Sequence, residues 1–376
     1  PDYGPFNTFL AQIWSQWALL GGGAVDEALA GAEDLTAPGF LSPFIPIHRA
    51  MLFDAANRVE EADGAYQSAV FASPFPRMAT ELYGNFLERQ RRPDDAAALY
   101  NAYLEGDAQD ASVRAALQRV SAGRRPPSRP TIAQYAARSA FGPAASLAAQ
   151  ADMDLSVIYL RMLQRLDPAD ASIRIMLGET LQRINLPALA LVEYAAVPDG
   201  PLKTAAEIDR IWLMARLGDL EPATLAARQL SQRTGDTEAR LIQADLLRVQ
   251  GRCDEAVELY HGVIVDRHAA GQPDDWRHYY FRAACLYDAA DWLQAEAAYL
   301  EALEVAPREP QILNHLGDAY WQVGRQLEAG FQWRRTLDLE PDETERAGIE
   351  LRLQSGVPAD ESIPIEVEAE GEVGAP

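Results

Sequence analysis

Along most of the chain, apolar residues recur three and four positions apart, the period of a helix with one buried face. These stretches come in pairs. A polar or glycine-containing break separates the two members of each pair, at Gly23, Asn57, Arg91, Asn185, Gly218, Gly251, Ala290 and Gly324. A proline often follows the second member, as at Pro74, Pro168, Pro307 and Pro341, and stops it. The pattern predicts helical hairpins from one end to the other.

The hairpins keep a frame. A small residue anchors each second helix: Ala28, Ala62, Ala96, Ser156, Ala190, Ala223, Ala256, Ala295 and Ala329. Of the eight spacings between these anchors, four are 34 residues and two are 33; the others are 60 and 39. Chance does not hold a frame that long, so the chain is read as a repeat array. Four residues past most anchors stands an aromatic ring, at Tyr66, Tyr100, Tyr194, Tyr260, Tyr299 and Trp333. It lies one turn along the same face and fills the gap to the next hairpin. One hairpin cannot bury its own apolar stripe, so neighbours stack and the stack becomes the core.

The clearest copy is "LNHLGDAYWQVGRQLEAGFQWRRTLDLEP", with Leu316-Gly317, Tyr320, Ala329, Trp333 and Pro341. At these positions the chain resembles the tetratricopeptide-repeat family, from Phe6 to about Leu353. The resemblance implies an all-α, right-handed superhelical solenoid of about nine repeats with a C-terminal capping helix. It also implies a non-catalytic scaffold for protein or peptide partners. The Trp-rich "GDAYWQVGRQLEAGFQWRR" end looks like bacterial envelope repeat proteins, including lipid-anchored ones that dock enzymes such as proteases. A cytoplasmic adaptor or assembly factor is the alternative reading.

The long spacings mark breaks in the array. The 60-residue one contains "SAGRRPPSRP", whose prolines forbid a continuous helix. It predicts an N-terminal lobe over 1–121 (three repeats plus an extra helix), a linker over 122–130 and a C-terminal lobe over 131–353. Arg124, Arg125 and Arg129 make the linker a basic spot, read either as solvated charge or as a docking point for acidic side chains. The 39-residue spacing places an inserted loop between Val265 and Asp275. "DETERAGIELRLQ" reads as the capping helix, with Ala347, Ile349, Leu351 and Leu353 as its apolar positions. The acidic segment 354–376 reads as a disordered tail. Its "SIPIEVEAE" also alternates like a strand that could add to a partner's sheet.

Charge narrows the partners. Thirty-three basic residues against 56 acidic ones give a net charge of −23, which repels nucleic acid and anionic lipid. Lys203 is the only lysine, so the cations are arginines suited to bidentate contact with carboxylates. No run approaches the ~18 apolar residues of a membrane span. The chain opens at Pro1 without Met, and is read as a trimmed product whose preceding segment could carry a lipid anchor.

No chemistry is spelled out. His48, His261, His268, His278 and His315 make no helical i, i+4 pair, and "ALLGGGAVDEA" lacks the Lys-Ser/Thr of a nucleotide loop. Catalytic, cofactor and metal sites are therefore not expected. Cys253 opens one second helix and Cys285 lies late in the next first helix, places that can approach. Two buried thiols and, in an oxidising compartment, a disulfide are both open readings.

The family resemblance implies that first helices line the groove. In the C-terminal lobe this points to Glu179, Gln182, Ile208, Trp212, Asp245, Arg248, Tyr280, Tyr287, Asn314, Asp318 and Trp321. Arg277 joins them beside the inserted loop. In the N-terminal lobe it points to Ile13, Trp17, Met51, Glu81, Asn85 and Glu88. The family's two-carboxylate clamp uses Lys at such positions, which this chain lacks.

Overall fold

The computed structural model describes residues 4–37, 39–149 and 153–357, and these contain helices and no strand. The acidic segment lies outside the described residues from 358 onward. Two compact units form, Pro1–Arg210 and Ile211–Pro376. The first holds α1 (Gly4–Gly21), α2 (Val25–Glu33), α3 (Ile45–Ala55), α4 (Val59–Ala72), α5 (Pro76–Arg89) and α6 (Pro93–Leu104). It continues with α7 (Ala111–Ser121), α8 (Ile132–Ala149), α9 (Met153–Leu166), α10 (Ala171–Arg183) and α11 (Pro187–Ala195). The unit boundary falls within α12 (Lys203–Arg216). The second unit holds α13 (Leu220–Thr234), α14 (Thr237–Val249), α15 (Cys253–Ala269) and α16 (Trp276–Asp288). It ends with α17 (Trp292–Val305), α18 (Pro310–Gln322), α19 (Gln326–Leu337) and α20 (Glu343–Ser355).

All eight break residues adopt left-handed backbone, with φ between 59° and 89°. Each closes the first helix in the same way. The Asn57 N–H donates to the Asp54 carbonyl at 3.0 Å and the Arg58 N–H to the Phe53 carbonyl at 2.9 Å; Ala290 and Asp291 repeat this on Tyr287 and Leu286, both at 2.9 Å. Two orphan carbonyls are thereby satisfied and the chain is reversed in one residue.

A volume rule runs through the hairpins. Sixteen residues before Tyr100, Tyr194 and Trp333 stand Gly84, Gly178 and Gly317. A Cβ built on these glycines would lie 2.3 Å from the Tyr100 ring, 2.7 Å from Tyr194 and 2.5 Å from Trp333 Nε1. Before Tyr66, Tyr260 and Tyr299 the same place is held by the fully buried Ala50, Ala244 and Ala283. Where the second helix carries only Ala227, the first carries Ile211, and both are fully buried. The pair keeps its joint volume whichever helix supplies it, as close packing demands.

The rings' polar edges also need partners. Tyr66 and Tyr100 donate to Asp54 and Glu88, each twelve residues earlier. Tyr260 and Trp333 donate to Asp245 and Asp318, each fifteen residues earlier.

The boundary expected at 122–130 is not where the units divide, because the chain turns back there into the first unit. Arg129 Nη2 donates to Asn57 Oδ1 at 3.1 Å, and its Nε lies 3.6 Å from Asp54 Oδ1. Helix α8 then packs along α1 and α3. Trp17 Nε1 donates to Ser139 Oγ at 2.8 Å, and the Trp17 and Tyr135 rings stack at 5.5 Å. The Tyr135 hydroxyl reaches Asp54 Oδ2 at 2.7 Å. Ile13, Trp17 and Met51, expected in an open groove, are buried, Trp17 against this helix.

Two smaller expectations also change. The inserted loop is half helix: α15 runs on to Ala269, leaving 270–275 as the connection. In α20 only Ile349 is buried, with Leu353 half-buried, while Ala347 is exposed and Leu351 is 62% exposed. Positions two apart point different ways on a helix.

His48 is fully buried and held by Gln16 Oε1 at 2.6 Å. Burial, with the Arg49 charge adding to it, lowers its pKa to about 3. The folded pKa lies below the unfolded one, so the unfolded chain takes up the proton first. The associated stability is complete above pH 6.5 and is lost as pH falls toward 3. Between pH 7 and pH 5 it accounts for about 2 kcal/mol, at about 1.36 kcal/mol per pKa unit. Urea midpoints at the two pH values should show a larger loss for the parent than for His48→Gln. Equal losses contradict this.

Candidate functional site

In the C-terminal unit a cleft of about 360 Å³ opens across the first helices of successive hairpins. Helix α14 contributes Arg248; α16 contributes Trp276, Arg277, Tyr280, Phe281 and Ala284; α18 contributes Pro310, Gln311, Asn314 and His315. Thr336 lies at the floor, and α20 supplies Thr344, Glu345, Gly348, Ile349 and Arg352. The capping helix is thus a wall of the cleft as well as a lid on the stack.

The wall's arginines are oriented by neighbours. The Arg248 guanidinium lies 4.3 Å over the Phe281 ring, and Arg277 lies 5.4 Å from the Trp276 ring and 3.7 Å from Asp275 Oδ2. Arg352 Nε is 3.1 Å from Asp318 Oδ1. Asp275 caps α16 by accepting from the Arg277 N–H at 3.0 Å, which fixes the turn that presents Trp276 and Arg277. Asn314 Oδ1 is a buried acceptor without a hydrogen-bond partner. A ligand N–H could satisfy it.

Of the residues assigned to the groove from sequence, Arg248, Arg277, Tyr280 and Asn314 line this cleft. Arg277 is exposed; Tyr280 is 7% exposed and presents little surface, because it packs on Trp276, Phe281, Tyr299 and His315. The other five assigned within the second unit are not brought to it. Asp318 is 2% exposed and inside the last repeat, where Trp333 Nε1, His315 Nδ1 and Arg352 Nε converge on it at 3.0, 3.0 and 3.1 Å. Asp245 accepts from the Tyr260 hydroxyl. Tyr287 is buried and accepts from Gln322 Nε2 at 3.3 Å. Trp321 is half-buried against Trp333 and under Gly356, where a Cβ would stand 1.9 Å from its ring. Trp212 is half-buried on α12, away from the cleft.

In the N-terminal unit Glu88 is likewise internal, held by Arg119 Nη2 at 2.6 Å and Tyr100 at 2.9 Å. Arg124 and Arg125 are exposed on the returning segment, whereas Arg129 is engaged with Asn57 and Asp54. Sequence reasoning missed Trp276, Gln311, His315 and Arg352. The signal for the first two was their place in the opening turn of consecutive first helices.

A model of the tetratricopeptide repeat matches the sequence over residues 48–111, 241–289 and 286–342. These stretches are tetratricopeptide repeats. Two of the matched stretches run from within α14 through α19, so the cleft is built largely from recognised repeats. No curated protein matches the sequence. Solved structures similar to it include yeast Tom70, at 12% identity over 93% of this chain and 96% of that one, with a TM-score of 0.42. PilF of Pseudomonas aeruginosa matches at 15% identity over 58% and 97%, TM-score 0.43. YrrB, described as a TPR protein with an unusual peptide-binding site, matches at 13% over 51% and 97%, TM-score 0.41. Likenesses this distant assign no function.

No helix among the described residues is long and apolar enough to cross a membrane.

Proposed function

We propose that this protein is a non-catalytic scaffold that holds a protein or peptide partner in the cleft of its C-terminal unit. The observation that carries this reading is the cleft's chemistry. On a chain of net charge −23, one concave wall gathers the exposed Arg277 and the half-buried Arg352 beside Trp276, over the buried Arg248, with Asn314 Oδ1 awaiting a donor. An extended peptide supplies backbone N–H groups for such an acceptor, and acidic side chains for arginines. Aromatic and arginine side chains are the types that dominate binding energy at interfaces. Nucleic acid suits this cleft poorly, because the surrounding charge repels its backbone.

The finer reading places the scaffold at the bacterial cell envelope, docking an enzyme such as a protease, with a lipid anchor in a preceding segment. It rests on the resemblance of the Trp-rich repeat. A cytoplasmic adaptor for a multiprotein complex has the same cleft and is the second reading.

Affinity capture from the source cells tests the proposal. Arg277→Glu and Trp276→Ala change half-buried or exposed side chains and should leave the fold intact. Each is expected to weaken retention of a captured partner at least tenfold, since loss of a central anchor costs about 2 kcal/mol or more. Retention unchanged by both substitutions removes the cleft from consideration.

A further inference from the structure

We infer that Cys253 and Cys285 are a disulfide-forming pair that ties the first turn of α15 to α16, behind the wall of the cleft. They are the only two cysteines of the chain, 32 residues apart in sequence, yet their sulfurs lie 2.7 Å from each other. Sulfurs of thiols that merely share a core pack farther apart, and this separation exceeds the length of a sulfur–sulfur bond by only about 0.7 Å. Both side chains are buried, in one cluster with Leu247, Ala256 and Tyr260. Two alanines would fill such a space as well; the neighbouring first-helix and second-helix positions are alanines, Ala244 and Ala256. The contact is what alanine would not supply.

The two thiols are placed for different steps. Cys253 is 9% exposed at the N-terminus of α15, and Cys285 is fully buried. The hydrogen bond with Cys285 holds the Cys253 thiol below its ordinary value, against the opposing effect of burial. The same bond, together with burial, raises that of Cys285. Cys253 is then the attacking thiolate. With a small disulfide such as oxidised glutathione as the oxidant, Cys253 displaces one thiolate and becomes a mixed disulfide. Cys285 attacks the Cys253 sulfur and displaces the second. Two protons and two electrons leave the protein, and one oxidant disulfide becomes two thiols.

The bond would also stiffen the cleft wall. Phe281, one turn before Cys285 on α16, packs on the cysteine cluster and carries the Arg248 guanidinium on its ring. The pairing stands whether or not the cleft binds what is proposed above.

Incubating the folded full chain with oxidised glutathione, followed by intact mass and peptide mapping, tests it. The expected result is a loss of about 2 Da and a linked peptide joining Cys253 to Cys285. The midpoint of the C-terminal unit should rise by roughly 5–10 °C over the reduced protein. Cys285→Ser should stop at one glutathione on Cys253, and Cys253→Ser should remain unmodified. Thiols that stay reduced in the folded protein, or that react only after denaturation in urea, overturn the inference. So does equal glutathione addition to both single variants.

Discussion

Replacing Trp333 with alanine is expected to destabilise the C-terminal unit by about 3–5 kcal/mol, the range for emptying a fully packed aromatic site. The ring is 1% exposed, rests on Gly317 and donates its indole N–H to Asp318 at 3.0 Å. Gly317→Ile alone should also be costly, since its Cβ would stand 2.5 Å from Trp333 Nε1. The volume rule makes a sharper statement about the two together. At Ile211 and Ala227 the same fold places the large residue on the first helix and the small one on the second. The double variant Gly317→Ile, Trp333→Ala should therefore be more stable than either single change predicts by addition, with a coupling of roughly 1–2 kcal/mol. Urea denaturation of the four proteins measures it. Strict additivity would show that the glycine and the ring do not form one packing unit.

Asp54→Ala is expected to cost the N-terminal unit about 3–5 kcal/mol, because it removes one partner of a buried ion pair. The Asp54 side chain is fully buried, with Arg89 Nη2 at 2.5 Å, the Tyr135 hydroxyl at 2.7 Å and the Tyr66 hydroxyl at 3.3 Å. Those groups come from α5, α8 and α4, so one carboxylate on α3 ties three other helices. Arg129 of the returning segment approaches it as well. Hydrogen exchange should show protection lost together in α3, α5 and α8. Tyr135→Phe, which removes one hydroxyl, should cost only about 0.5–1.5 kcal/mol. A loss confined to α3, or an Asp54→Ala cost no larger than that of Tyr135→Phe, would mean that α8 is held without Asp54.

The hairpins were legible because their signals are local. A glycine break such as Gly218 or Gly324 takes the left-handed turn without strain, and Asn57, Arg91, Asn185 and Ala290 take the same turn at the equivalent place in their hairpins. Anchors and rings repeat because every hairpin meets the same neighbours. The groove was less legible, for a physical reason. A first-helix acid such as Glu88, Asp245 or Asp318 looks like surface charge, yet the ring of its own hairpin needs an acceptor inside. The spacing of twelve or fifteen residues from acid to ring carried that information. What no spacing carried is the return of α8. Its contacts with Trp17 and Asp54 join residues 122 and 81 positions apart, and they bury a face that the repeat pattern left open. The same limit hid Arg352, since a capping helix shows its packing stripe in sequence but not the side it turns to a neighbouring cleft.

The central claim is that the partner sits in the cleft between α14, α16, α18 and α20, and not on the arginine-bearing segment 122–130. Photocrosslinking decides between them. A photoreactive amino acid is placed at Gln311, exposed on the cleft wall, or at Arg124, exposed on the returning segment. Full-length protein is then irradiated in the source cells. The account predicts a discrete protein adduct from position 311 that disappears with Arg277→Glu, and none from position 124. Adducts from position 124 with position 311 silent would contradict it.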